Sequence, residues 1–307
     1  MILVTGGLGF IGSHTVRALF DLGESCVIPR HRPRDIPAFF DGRGTVVDVD
    51  LRDRAALLAL GDAHAITGIV HLGGALSTSP FDELRDAMTA LGNVLEAAST
   101  WQVRRVCLAS AIGVYGQAAE ANEAAAIPLA GNPHPIVAMK KATEIYAESI
   151  AVRAKLDCVV MRIGAIYGPR YRNNRSFVGR LARAAATSSP LDLDGVPWGI
   201  KPDDGGDWCY VADCARAIAL LATAPALAHR VYNVGSGIAA RNRDFVAAVR
   251  AAGLADHVPT MVGAESPPPA LALDIARLRA DTGYAPQWSI DAAMRDYVAW
   301  LRAGNAC

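Results

Sequence analysis

The chain has 307 residues, 52% of them hydrophobic, and its 30 Lys and Arg balance its 30 Asp and Glu. That length suits one large α/β domain or a dinucleotide domain with a smaller lobe, and the even charge gives no global field to draw nucleic acid or an anionic membrane surface. No apolar run reaches the roughly 18 residues of a membrane span, and no basic segment followed by an apolar core opens the chain. Six cysteines without a CxxC pair, two of them (Cys107 and Cys158) inside apolar runs, read as the reduced thiols of a cytoplasmic protein with no metal site.

In chain order, Ile2 to Thr5 reads as a strand, Phe10 to Leu22 as a helix and Ser25 to Ile28 as a second strand. Apolar strand signals recur at Thr45 to Val49, Gly68 to Leu72, Arg105 to Ala109 and Cys158 to Ile163. Between them, Leu84 to Ser99 and Lys140 to Ala154 carry helical apolar spacing. Strict alternation of this kind predicts a Rossmann-type doubly wound parallel sheet with right-handed crossovers. After about residue 168 the pattern loosens. Pro190 to Gly206 reads as a long loop and Ala264 to Pro269 as another break, with helices expected at Val211 to Thr223, Arg243 to Ala252 and Asp291 to Arg302. The expected division is a dinucleotide-binding domain over 1–168 and a smaller substrate lobe over 169–307. The segment at about 207–235 is expected to return to the first domain, and the lobe to close over the carboxyl ends of the strands, where such sheets bind ligands.

Between the first strand and the first helix lies Thr5-Gly6-Gly7-Leu8-Gly9-Phe10-Ile11-Gly12. Of these glycines, one makes a tight turn, one lets the backbone approach a pyrophosphate and one allows close helix–strand packing. The helix N-terminus then offers unpaired N–H groups and a positive dipole end. Further motifs follow in order: Asp50-Leu51, Val70-His71-Leu72-Gly73-Gly74, VYG at 114–116, RIGAIYGPR at 162–170, DWCYVADCARAI at 207–218, YNVGSG at 232–237 and TGYAP at 282–286 with Trp300. The series resembles the extended short-chain dehydrogenase/reductase family, that of the NAD-dependent epimerases and dehydratases. The resemblance implies cofactor contacts from Gly6, Gly9, Phe10, Ile11, Gly12, Asp50, Leu51, Leu72, Gly73, Gly74, Lys140 and Ile163. Family members that use NAD resemble one another in carrying an Asp where this chain has Arg30, followed by Arg32 and Arg34. A guanidinium can bind a 2′-phosphate through two parallel hydrogen bonds, so the expected cofactor is NADP, with NAD as the alternative. A solvated basic loop is the other reading of these arginines.

The family's chemistry uses a Tyr and a Lys four residues apart, plus a Ser or Thr, to move a proton during hydride transfer. The resemblance puts Lys140 at the Lys position, with Glu144 following, but Ile136 at the Tyr position and Ala111 at the Ser/Thr position. Ser110, Tyr115 and His134 are the candidate substitutes. Ala165, Gly206 and Ala87 stand where sugar-nucleotide epimerases of the family carry polar side chains, the first two of which help hold the diphosphate. Ser77, Tyr115, Arg170, Arg175 and Trp198 are expected to line a pocket for a small-molecule substrate. The resemblance also implies a homodimer, with Met88, Leu91, Leu95, Ile145 and Val152 in a four-helix seam. Two functions compete: an NADP-dependent oxidoreductase or epimerase-like enzyme with a displaced acid/base, and a catalytically inactive cofactor binder acting as sensor or structural homologue.

Overall fold

The computed structural model describes residues 1–74, 79–116, 120–129, 134–172, 175–196, 200–265 and 270–305. Six strands lead the chain: β1 (Ile2–Thr5), β2 (Cys26–Arg30), β3 (Thr45–Asp48), β4 (Gly68–His71), β5 (Arg105–Ala111) and β6 (Cys158–Ile163). The short β7 (Ala165–Tyr167) follows directly, and then come β8 (Gly205–Tyr210), β9 (Val231–Val234) and β10 (Ala239–Arg241). The first six strands and β9 form one parallel sheet in the order β3-β2-β1-β4-β5-β6-β9. β10-β8-β7 form a second sheet.

Side chains alternate across the large sheet because successive residues of a strand face opposite ways. Leu3, Val27, Ile69, Val106 and Leu108 pack with Leu57, Val94, Leu95 and Ala147 of α2 (Arg54–Ala63), α3 (Pro80–Thr100) and α4 (Pro135–Ala154). Val4, Ile28, Val70, Cys107 and Met161 pack on the other face with Val16, Leu19, Ile218 and Leu221 of α1 (Phe10–Asp21) and α6 (Val211–Thr223). With both faces covered, the strands are the continuous apolar runs seen in the sequence. The smaller sheet has its own core, where Tyr167, Phe177, Leu181, Phe245, Met294 and Tyr297 meet. These come from β7, α5 (Phe177–Thr187), α7 (Asn242–Ala251) and α9 (Ile290–Arg302). The helix α5 adds to the expected elements, with Phe177, Val178 and Leu181 among its buried residues. The short α8 (Ala276–Thr282) completes the set among the described residues.

Two expectations need correction. The helix expected from Lys140 starts at Pro135, a residue that favours the first helical position because its missing N–H has no partner there. Leu91 and Leu95, expected in a dimer seam, are buried in the core and Met88 packs beside them. Their helical spacing suits a sheet-facing stripe as well as an outward one, and the sheet took it.

One buried polar knot ties α4 to the sheet. The Arg162 guanidinium of β6 donates to Glu144 Oε2 of α4 at 2.9 Å and to the Tyr115 hydroxyl at 3.1 Å. Tyr115 in turn donates to Asn233 Oδ1 of β9 at 2.7 Å. Burial alone would push Arg162 down, but these hydrogen bonds raise it and hold it charged. Removing one partner of such a pair strands the other without solvent. Glu144→Leu is therefore expected to cost about 3–5 kcal/mol of unfolding free energy. The double variant with Arg162→Met should lose clearly less than the sum of the two single changes. Denaturant titration of the four proteins measures this.

Candidate active site

Because every strand of the large sheet runs the same way, all its carboxyl ends lie along one edge, and strand order reverses between β1 and β4. The glycine loop leaves β1 at that point. Gly6 sits at φ +69° and its carbonyl accepts the Gly9 N–H at 2.8 Å. A Cβ on Gly12 would lie 2.1 Å from that same carbonyl oxygen, so any larger residue would push α1 off the loop. Gly9 precedes α1 without a side-chain cap, and no acidic residue lies in the helix's first turn. The Phe10, Ile11 and Gly12 amides thus have no partner one turn back. Uncapped amides and a positive helix end fit a pyrophosphate.

The other expected cofactor residues line the same edge. Arg30 ends β2, Asp50 and Leu51 follow β3, Leu72, Gly73 and Gly74 follow β4, and Ile163 ends β6 buried beside Ala111. Arg30 is not free: its Nε and Nη2 donate to the two Asp48 carboxylate oxygens at 2.6 and 3.2 Å. Arg32 is exposed. Hydrogen bonds from Arg52, 2.6 Å from Nη2, hold Asp50 ionised with its pKa lowered to about 2. Thr5 Oγ1 accepts the Gly73 amide at 3.1 Å and lies 2.8 Å from His71 Nδ1, clasping the two loops together. The partners of this clasp are too far apart in the chain for motif spacing to reveal it.

The residues expected at the catalytic positions lie where α4 begins and β5 ends. Ala111 ends β5. Ile136 is 39% exposed in the first turn of α4, and Lys140 follows four residues later on the same face. The Lys140 amine donates to Ala109 O at 2.7 Å; burial lowers its pKa, opposed by Glu144. The substitutes fare differently. Ser110 is buried and donates to Glu144. Tyr115 is fully buried and sits in the knot with Arg162 and Asn233, burial pushing its phenol up. Both hydroxyls are taken up by the knot that anchors α4, so the expected substrate role of Tyr115 would need its hydroxyl to leave Asn233 and Arg162. His134 is exposed just before α4.

Among the expected substrate residues, Ser77 and Trp198 lie outside the described residues. Arg175 is exposed before α5. Arg170 lies elsewhere than expected. With Leu8, Arg30, Pro33, Arg34, Asp35 and Arg172 it lines a cleft of about 290 Å³ on the cofactor side. It is fixed there by α1, whose His14 Nε2 donates to Pro169 O at 3.1 Å.

Fold and edge together define a dinucleotide-binding doubly wound α/β protein. The description of the NAD dependent epimerase/dehydratase family matches residues 2–235, and the chain belongs to that family. It is 26% identical to the dTDP-glucose 4,6-dehydratase of an Actinoplanes species, over 99% of this chain and 98% of that one. Among solved structures it resembles the UDP-glucose 4-epimerase of Thermus thermophilus in complex with NAD, with 27% identity, 99% coverage of each chain and a TM-score of 0.79. It also resembles MoeE5 in complex with UDP-glucuronic acid and NAD, with 26% identity, 99% coverage of each and a TM-score of 0.78. The reading as a catalytically inactive binder finds no support in these relatives, two of which are enzymes by name.

Two imidazoles make stability pH-dependent. Burial pushes His14 down to about 4, and burial with the nearby Lys140 charge pushes His71 down to about 3. Both therefore stay neutral when folded, while the unfolded chain protonates them below about pH 6.5. Their contribution is full above that pH and is lost as pH falls toward 4 and 3. Between pH 7.5 and 5 each should cost about 2 kcal/mol. Urea titrations at the two pH values are expected to show that loss, reduced by about one such increment in His14→Gln.

Proposed function

We propose that the protein is an NADP-preferring oxidoreductase or epimerase-like enzyme acting on a small molecule without the Tyr and Ser/Thr pair of its relatives. The observation that carries the reading is the rim itself: Lys140 points its amine at the carboxyl end of β5 between two apolar positions, Ile136 and Ala111. A nicotinamide dinucleotide, when bound, supplies the hydride donor or acceptor. The chain's own residues do the rest. The uncapped start of α1 neutralises the pyrophosphate, Asp50 accepts from the adenine edge, and Lys140 orients the nicotinamide ribose with the donors it does not give to Ala109. No hydroxyl at 136 or 111 relays a proton, so the substrate's proton passes to solvent or to a group on the substrate.

The relatives' sugar nucleotides are a starting point for substrates, but Ala165, Gly206 and Ala87 offer no polar side chain to such a ligand, which favours a smaller acid or carbonyl compound. Arg30 in place of an acid supports NADP. The buried free thiols Cys26, Cys107, Cys158, Cys209 and Cys214 support a reducing, cytoplasmic setting. A homodimer through α3 and α4 is supported by Phe81, Leu84, Ile145, Tyr146 and Val152, which are 51–71% exposed on these two helices.

With UDP-glucose, UDP-galactose or dTDP-glucose, turnover is expected about 10²–10⁴-fold below a family enzyme carrying the full set, since that is the worth of a positioned acid/base. NADPH fluorescence titration should show binding all the same. Ile136→Tyr with Ala111→Ser should raise hydride transfer if the pocket admits a hydroxyl-bearing substrate. Ordinary turnover by the unmodified protein would defeat the reading. Light scattering at micromolar concentration is expected to give the mass of a dimer, and Ile145→Glu with Val152→Glu that of a monomer.

A further inference from the structure

The cleft beside Leu8 joins three stretches that are remote in sequence: the glycine loop, the exit of β2 at Arg30 to Asp35, and the segment after β7 at Arg170 and Arg172. Its charge is one-sided. Four arginines line it against the single carboxylate of Asp35. Arg30 is the least available of them, because both edges of its fork already face Asp48. Arg34 and Arg172 are exposed, and Arg170 is half-buried but poorly paired. Its guanidinium reaches Leu8 O only at a long 3.4 Å, and its Nε is buried with no hydrogen-bond partner among the described residues. Its backbone sits at φ +68°, uncommon for a residue with a side chain. The position is nevertheless held, by the His14 bond to Pro169 O and by Tyr171 packed on Phe10 at 5.0 Å. Burial and the neighbouring charges of Arg172 and Arg34 all disfavour the Arg170 cation, with Asp35 opposing them. A buried guanidinium donor with no acceptor, crowded by like charges, is costly until an anion arrives.

The place of the cleft says which anion. A pyrophosphate belongs at the start of α1, while the end of β2 is where such folds meet the adenosine ribose. We propose that Arg170 and Arg34 together clamp the 2′-phosphate of the dinucleotide, with Arg30 serving mainly to hold the end of β2 against β3 through Asp48. This rests on the dinucleotide reading above and moves the source of NADP preference to a residue on the far side of the cleft. The step is binding only: two guanidinium groups donate to phosphate oxygens in the fork geometry that suits them.

The test uses the full chain and two ligands that differ only in that phosphate, 2′,5′-ADP and 5′-AMP, with calorimetry as the readout. The unmodified protein is expected to bind 2′,5′-ADP about ten- to a hundredfold more tightly, the worth of charge-assisted hydrogen bonds. Arg34→Met, at an exposed position that cannot disturb the core, and Arg170→Met should each bring the two affinities close together and leave 5′-AMP binding unchanged. Arg30→Met should keep most of the difference. Equal affinities in the unmodified protein, or a difference lost only in Arg30→Met, would overturn the clamp and leave the dinucleotide reading standing. So would binding of free inorganic phosphate without preference for 2′,5′-ADP. Binding of neither nucleotide would overturn the dinucleotide reading, and the clamp with it.

Discussion

Glu144 and Arg162 meet where water is excluded, 2.9 Å apart and with side chains 10% and 6% exposed, so neither can shift without leaving a bare charge behind. Because Glu144 lies one turn beyond Lys140 and two beyond Ile136, the pair fixes the rotation and height of α4 against β6. The Lys140 amine then falls on the end of β5, and the first turn of α4 lies against the turn after β5, where Val137 leaves no room for a Cβ on Gly113. Ser110 and Tyr115 are drawn into the same knot. One interaction thus both builds the rim and removes from it the hydroxyls nearest in sequence to the gaps.

The same knot explains what was legible in the sequence. Strand and helix alternation gives the large sheet directly, because covered strands must be continuously apolar. The glycine loop is equally plain, since Gly6 and Gly12 are required by a positive φ and by a 2.1 Å approach. The fate of Tyr115 was not legible. A tyrosine in a turn after a strand has the same local pattern whether its hydroxyl faces a cleft or a buried arginine, and only the pairing of β6 with β9 decides. Leu91 and Leu95 fail in the same way: helical spacing gives a stripe and leaves open which neighbour it meets.

Arg170 is a third case of this kind. Its neighbours Arg30 and Arg34 lie far earlier in the chain, and the strand that precedes it, β7, belongs to the small sheet. Read along the chain, it belongs with a substrate lobe. In space, the His14 bond to Pro169 O turns the segment back onto α1. The residues just after β7 are thereby placed on the cofactor side of the cleft.

What remains at the rim divides by physical task. Glu144 is needed whatever the chemistry, because Arg162 would be unpaired without it. Its presence is therefore no sign of catalysis. Lys140 carries no such obligation: its hydrogen bond goes to the backbone carbonyl of Ala109 and not to a buried charge. Burial disfavours its charge, so stability alone would favour an uncharged residue there. Glu144 one turn on offsets part of that penalty, and the proposed dinucleotide would offset more. The uncapped α1 amides and the Arg170 Nε are donors without an acceptor among the described residues, and the proposed dinucleotide would supply one. Under the proposed function these donors and Lys140 lie along one long anionic ligand, and the apolar positions at 136 and 111 mark the end of it where the proton takes another route.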